Sequence, residues 1–421
     1  MSEATTSLRV GRLVDGLGGA PITDAVIVVQ GDRVAWIGEY AAVPPEWSTS
    51  ILDYSSSTAL PGLIDAHVHM SLFADGRTYE EMAGDSDGVM ALAAARNVRT
   101  HLTSGVTTAR DNGARNRLGF DIKLAIDRGY LDGPRMLVAG RPITAPGGHF
   151  FWCGEEADGE EAIRESVRRL VAEGADHIKI MASGGGTVGT DPTRASYTVS
   201  DLAAAKATAQ ELGRLVTAHC RAREAMDRAV EARLDCIEHG EFLDEDGVPR
   251  FNQDSAERMV EAGTYLSPTL AAYGWDTILR LRASRDVEPL ASGDAAALQD
   301  AEDVIKGRLE CVNSLLELGM GDHIIASTDA GCFDYSFGHM DYNLELLVQA
   351  GMSPMQAIMS ATRFSATACG VDTHVGTLEP GKYGDMLLVD GDPTLDICAI
   401  SNVRAVFKAG ALVHDSGGPT R

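Results

Sequence analysis

The chain of 421 residues contains no run of about 18 or more apolar residues that could cross a bilayer. Its opening, MSEATTSLRVGRLVDG, has neither the basic n-region nor the apolar h-region of a secretory signal. Membrane insertion and export are therefore not expected, and a cytoplasmic location is. Positive charge is also scarce: 36 Lys and Arg against 61 Asp and Glu leave a formal charge of −25. That balance opposes attraction to phosphate backbones and anionic lipids, so nucleic acid is not an expected partner. Paired cysteines are missing too. The seven present (Cys153, Cys220, Cys236, Cys311, Cys332, Cys369 and Cys398) are scattered, with no CxxC spacing, which points to reduced thiols in or near a core. What the chain does have is 44% apolar and 23% charged residues, the balance of a globular protein that buries a substantial core.

Before residue 58 the sequence alternates short extended runs. In AVIVVQGDRVAWIG a Gly-Asp turn separates two β-rich segments, which predicts a hairpin. The other end, with GDMLLVDGD and VRAVFKAGALVHD, reads the same way, so one small β domain, a sandwich assembled from both termini, is expected. Between them, eight strand-like runs alternate with helical stretches: 59–68, 105–111, 135–143, 177–183, 215–220, 236–240, 264–270 and 323–330. Helical patterns such as DLAAAKATAQELG and SPMQAIMSATRFSATACG follow them. Eight such units predict an α/β protein with a (β/α)8 TIM-like barrel. The expected domains are 1–58 and 378–421 for the β unit and 59–377 for the barrel. Residues 272–300 read either as a lid or as a helical insertion.

Buried barrel strands are expected to be nearly all apolar until their C-terminal ends, where active sites form. Five of the runs break that rule: the first ends in His67 and His69, the fourth carries Lys179, the fifth and sixth end in His219 and His239, and the eighth in Asp329. Residues two apart on a strand share a face, so His67 and His69 can chelate one ion. Each histidine alone reads equally well as a hydrogen-bonded core residue. Lys179 between Ile178 and Ile180 does not, because an unpaired buried ammonium costs several kcal/mol. It needs an anionic partner or a chemical change, and Asp329 after IIAST needs a cation.

With these residues in place, the words PGLIDAHVHM, HIKIMASGGG, VTAHC, CIEHGEF, ASTDAG and GTLEPGKYGDMLLVDGDP resemble the amidohydrolase superfamily, and within it the prolidase-like, imidazolonepropionase-related enzymes. The resemblance spans nearly the whole chain. It implies two divalent metal ions, zinc best suiting the His-rich set. His67, His69 and Asp329 would hold the more buried ion, and His219 and His239 the more exposed one. Lys179 would bridge both as a carbamate formed with carbon dioxide, which turns the awkward ammonium into an anionic ligand. A metal-bridging hydroxide would then attack a carbonyl carbon, with Asp329 as the catalytic proton carrier. The implied reaction is cleavage of a C–N amide bond in a small substrate such as a dipeptide, an N-acyl amino acid or a related amide. The expected partners are that small molecule and further copies of the chain in a homo-oligomer.

Two residues are candidates for choosing the substrate. His149 lies in APGGHF after the third run, where glycines let backbone approach a ligand. Arg221, two residues past His219, could grip a carboxylate at the rim or form a surface ion pair. The prolidase-like relatives often carry an aromatic residue there, so Arg221 is a departure. SGGGTVG (183–189) lacks the Gly-Lys-Ser/Thr ending of a phosphate loop and is expected to be a flexible rim loop. Cys220 and Cys332 read as packing beside the metal site, and His101, His177, His323, His339, His374 and His414 as surface or structural residues. A deaminase is disfavoured by Ala222 and Arg223 but left open by Glu224. Lactone, ester and urea-type hydrolysis use the same chemistry, and a metal-free scaffold or binding protein is the rival from another class.

Overall fold

The computed structural model describes residues 4–287 and 289–417. Four strands come first: β1 (Thr5–Leu13), β2 (Ile22–Gln30), β3 (Arg33–Glu39) and β4 (Ile51–Pro61). The hairpin read from the sequence is β2–β3, turning at Gly31 and Asp32 with Gln30 opposite Arg33. Gly31 has φ 60°, a backbone state glycine adopts without strain.

Seven strands follow, interleaved with helices: β5 (Leu63–Val68), β6 (Val106–Asp111), β7 (Arg135–Val138), β8 (Ile178–Met181), β9 (Val216–Ala222), β10 (Cys236–Leu243) and β11 (Tyr265–Ser267). They form two parallel sheets, β5-β6-β7 and β8-β9-β10-β11. Each coincides with a run read from the sequence. The eighth run differs. Residues 323–330 contain no strand, only isolated parallel bridges from Ile324 to Leu266 of β11 and from Ala330 to Val68 of β5. A further parallel bridge joins Ile143, beyond β7, to Ile180 of β8.

The helices have local reasons to form. Thr198 caps Val199–Glu211 in a reciprocal box with Asp201, and Ser353 does the same with Gln356 ahead of Pro354–Ser360. The single helical stretch expected over 353–370 is two helices, because Thr362 (φ −133°, ψ −93°) leaves helical geometry before Arg363–Ala368. Residues 272–300 contain the helix Trp275–Arg285 and the start of the longer helix Ser292–Glu317, which favours the insertion reading over a lid.

The chain ends in β12 (Met386–Asp390), β13 (Val403–Lys408) and β14 (Ala411–Asp415). They join the first four strands in one seven-stranded sheet ordered β14-β13-β12-β4-β1-β2-β3. The two ends of the chain thus share a sheet, as their sequences suggested, and it is one sheet rather than two. One cluster of its inward side chains includes Leu8, Ile27, Tyr54, Met386 and Phe407. The larger core lies around the two parallel sheets.

Candidate active site and metal centre

Polar side chains gather where the parallel strands end. His67 is the next-to-last residue of β5 and His69 comes just after it, with their Nε2 atoms 3.3 Å apart. Asp329 Oδ1 lies 3.3 Å from Nε2 of His67 and 3.4 Å from Nε2 of His69. Donor atoms of His67, His239 and Asp329 fall within 4.8 Å of one another, as do those of His69, Asp329 and Cys332. The His219 ring is 4.5 Å from the His239 ring, centroid to centroid, but its Nε2 is 3.1 Å from the Gly184 carbonyl. It stands beside the tight cluster rather than in it. Lys179 Nζ is buried with no hydrogen-bond partner among the described residues. All six residues line one pocket, together with Tyr79, His149, Phe150, Arg221, Tyr273 and Phe333.

Backbone geometry helps bring them together. His239 and Asp329 have φ of 70° and 60°, left-handed values that are uncommon outside glycine and cost on the order of 1–3 kcal/mol. At His239 this breaks strand alternation, so that Glu238 and His239 both reach His67: Glu238 Oε2 lies 2.8 Å from His67 Nδ1, and the two imidazole rings are 5.1 Å apart.

The other imidazole nitrogens are held from behind. His69 Nδ1 is 3.0 Å from the Gly113 carbonyl, and His239 Nδ1 is 2.8 Å from Thr269 Oγ1 and 3.1 Å from the Tyr273 hydroxyl. Such contacts fix which nitrogen faces a metal. Glu238 in turn accepts from Arg110 Nη2 at 2.8 Å and from the Thr217 hydroxyl, while Arg110 Nε donates to the Ala66 carbonyl at 2.7 Å. Asp65 accepts from the backbone N–H of His67 and of Thr328, at 3.1 and 3.0 Å, and pairs with His101 Nε2 at 3.0 Å. It therefore pins the Asp329 segment to β5. His101 and also His177, bonded to Asn112 at 2.9 Å, are structural. Sequence reading missed Glu238, Arg110 and Asp65, although each is a charge inside an apolar run, the signal that singled out Lys179.

Burial shapes the protonation. It lowers His67, His219 and His239 below the ordinary imidazole range, most strongly the last two, and pulls His149 down to about 3. It also lowers Lys179, against the opposing pull of Glu238 and Asp329. For Asp329, burial acts upward, but His67, His69 and Lys179 outweigh it and hold the carboxyl below its usual range. Neutral imidazoles and carboxylates are the forms in which these groups bind metal.

Both substrate candidates line the cavity. His149 is buried with Nδ1 2.8 Å from Thr187 Oγ1. Arg221 is already engaged: its Nε and Nη2 reach Glu241 at 2.8 and 3.0 Å. The glycine run is packed rather than a loose rim. A Cβ on Gly185 would stand 2.5 Å from His149 Nε2, and one on Gly186 would stand 2.7 Å from Phe333 Cζ. These glycines admit the rings that wall the cavity.

Convergent imidazoles and a carboxylate at the ends of parallel strands are the kind of donor set that could hold a metal ion. The chain belongs to the amidohydrolase family, whose sequence profile matches residues 58–413, and is an enzyme acting on carbon–nitrogen bonds. It is 25% identical to the ochratoxinase of Aspergillus niger, over 98% of this chain and 88% of that one. It is likewise 25% identical to an imidazolonepropionase of Streptomyces griseus, over 93% of each chain. Among solved structures, a Xaa-Pro dipeptidase with methionine bound in its active site matches with a TM-score of 0.82 at 26% identity, covering 98% of this chain and 100% of that one. No helix among the described residues is long and apolar enough to cross a membrane.

Proposed function

We propose that the protein hydrolyses the C–N amide bond of a small substrate, a dipeptide, an N-acyl amino acid or a related amide, at a centre for two divalent metal ions. The observation that carries this reading is the unpartnered Lys179 Nζ beside the cluster of His67, His69, His239 and Asp329. Its lowered pKa favours the free amine, the form that adds carbon dioxide. Formation of the N–C bond would release one proton to solvent, and the resulting anionic carbamate would offer two oxygens to the metal ions. His67, His69 and Asp329 would hold the deeper ion, and His219 and His239 the outer one. Zinc suits this donor set. When bound, the metal supplies Lewis acidity and a water of lowered pKa.

The protein's own groups do the rest. Asp329, ionised and at the cavity wall, takes the proton from the attacking water and passes it to the leaving nitrogen. His149, neutral above about pH 3, offers its second ring nitrogen to the substrate carbonyl, and Arg221 faces a substrate carboxylate. Glu224, the residue that kept deamination open, pairs on the surface with Arg228 at 2.5 Å and does not line the cavity.

The same reading takes the eight βα units as a closed (β/α)8 barrel over 59–377, supported by the three parallel bridges beyond the sheets. Residues 1–58 and 378–421 are taken as one β unit built on the single terminal sheet, supported by the clustering of Leu378 with its strands. The test is metal analysis followed by a screen of dipeptides, N-acyl amino acids, ureas and lactones. Well under one ion per chain would refute the metal centre, and turnover confined to lactones or ureas would refute the amide assignment.

A further inference from the structure

The insertion helix Ser292–Glu317 sends one charged side chain toward the cavity wall. Arg308 is almost closed to solvent, with a side-chain exposure of 6% against 5% for Glu241, and its Nη1 lies 3.2 Å from Glu241 Oε1. Its Nη2 donates to the Pro268 carbonyl, and its guanidinium carbon sits 3.9 Å from the centre of the Tyr273 ring. The opposite side of Glu241 is the fork of Arg221.

One carboxylate therefore stands between two guanidinium groups, and this arithmetic decides what the cavity meets. Arg221 and Glu241 alone would present a neutral pair, with the arginine's charge spent on its anchor. Arg308 offsets Glu241 from behind, so the trio keeps one net positive charge. That charge is exposed on the Arg221 side, where the side chain is 24% accessible and the guanidinium carbon lies 5.6 Å from the centre of the Tyr273 ring. The pair at Glu241 also fixes the guanidinium plane, so little rotamer freedom is lost when a ligand binds. Tyr79, Phe150 and Phe333 also line the cavity, with the Tyr79 ring centroid 4.9 and 5.2 Å from the other two.

We infer that Arg308 and Glu241 are positioning residues that assemble an anion subsite at Arg221, so that the helical insertion sets the preference for an amide bearing a carboxylate over its uncharged analogue. This rests on the amide-hydrolase reading for its substrates, but the binding comparison does not. Atoms of the reacting amide are not involved: the trio orients and charges one wall.

The test compares an N-acyl amino acid with its carboxamide, by turnover in the metal-loaded enzyme and by calorimetric binding. The wild type is expected to favour the acid. Arg308→Gln should lower the ratio of kcat/KM for acid over carboxamide roughly tenfold, the weight of one charge-assisted hydrogen bond, chiefly through KM. Arg308→Lys, which restores the charge, should recover most of the ratio, and it also carries the comparison should the Gln variant fold poorly. A merely structural arginine would change both compounds alike. An unchanged ratio in Arg308→Gln, an Arg308→Lys that loses the ratio despite folding, or a wild type that binds the acid no more tightly than the carboxamide would each overturn the inference. A wild type that binds the acid selectively yet cleaves neither compound would count against the amide-hydrolase reading and leave the subsite standing.

Discussion

Nδ1 of His67 lies 2.8 Å from Oε2 of Glu238, with both side chains closed to solvent. The carboxylate beside Nδ1 favours the tautomer with its proton on that nitrogen, which leaves the Nε2 lone pair facing His69 and Asp329. The Glu238 carboxylate, neutralised from its other side by Arg110, sits directly behind a candidate ligand. Glu238→Gln is expected to weaken metal affinity by about 10–100-fold while the protein stays folded. Equilibrium dialysis against a competing chelator gives the affinity, and a value within twofold of wild type would remove Glu238 from the metal's support.

Asp329 carries the heaviest demand in the proposed chemistry. Asp329→Asn keeps the shape but cannot hold a proton, so turnover should fall at least about 100-fold, with the circular dichroism spectrum retained. Substantial residual turnover in a folded variant would assign the proton transfer elsewhere.

Removing the amine tests the bridge. Lys179→Ala should lose bound metal and recover part of it when a short carboxylate such as acetate is added, because the carboxylate can stand in for the carbamate oxygens. Metal content equal to wild type without acetate would contradict bridging.

His149 gives a pH signature in the metal-free protein. Burial lowers its folded pKa to about 3, while an imidazole in the unfolded chain titrates near 6.5. Between those values the unfolded state binds the extra proton, so the contribution is present above about pH 6.5 and is lost as pH falls toward 3. His149→Gln should flatten the acid limb of the stability curve by up to one proton, about 1.4 kcal/mol per pH unit. Denaturant titrations across pH 4–7 read this, and parallel curves for the two proteins would rule it out.

The parts that could be read from the sequence share a physical cause. Period-two patterning and turn chemistry placed β2–β3 at Gly31 and Asp32, and charges in otherwise apolar runs marked Lys179 and Asp329. Glu238 escaped because strand alternation places it on the face opposite His239, and only the left-handed backbone at His239 brings both to His67. Arg221 was visible but its partners were not, since Glu241 and Arg308 meet only through tertiary packing. The glycines at 185 and 186 looked flexible because a sequence does not reveal which rings approach a missing side chain. Residues 323–330 read as a strand by their apolar run, yet only Ile324 and Ala330 make bridges.

The seven-stranded sheet places β4 between β1 and β12, and Gly62 alone separates β4 from β5, which carries His67. During synthesis, β4 therefore waits with one edge open until nearly all of the chain, including every candidate ligand, has emerged. Pairings so distant in sequence form slowly, and an unpaired edge invites the wrong partner. The last strands thus act as a late clasp: chains stalled before Met386 would carry the full set of candidate ligands yet be the ones most prone to aggregate.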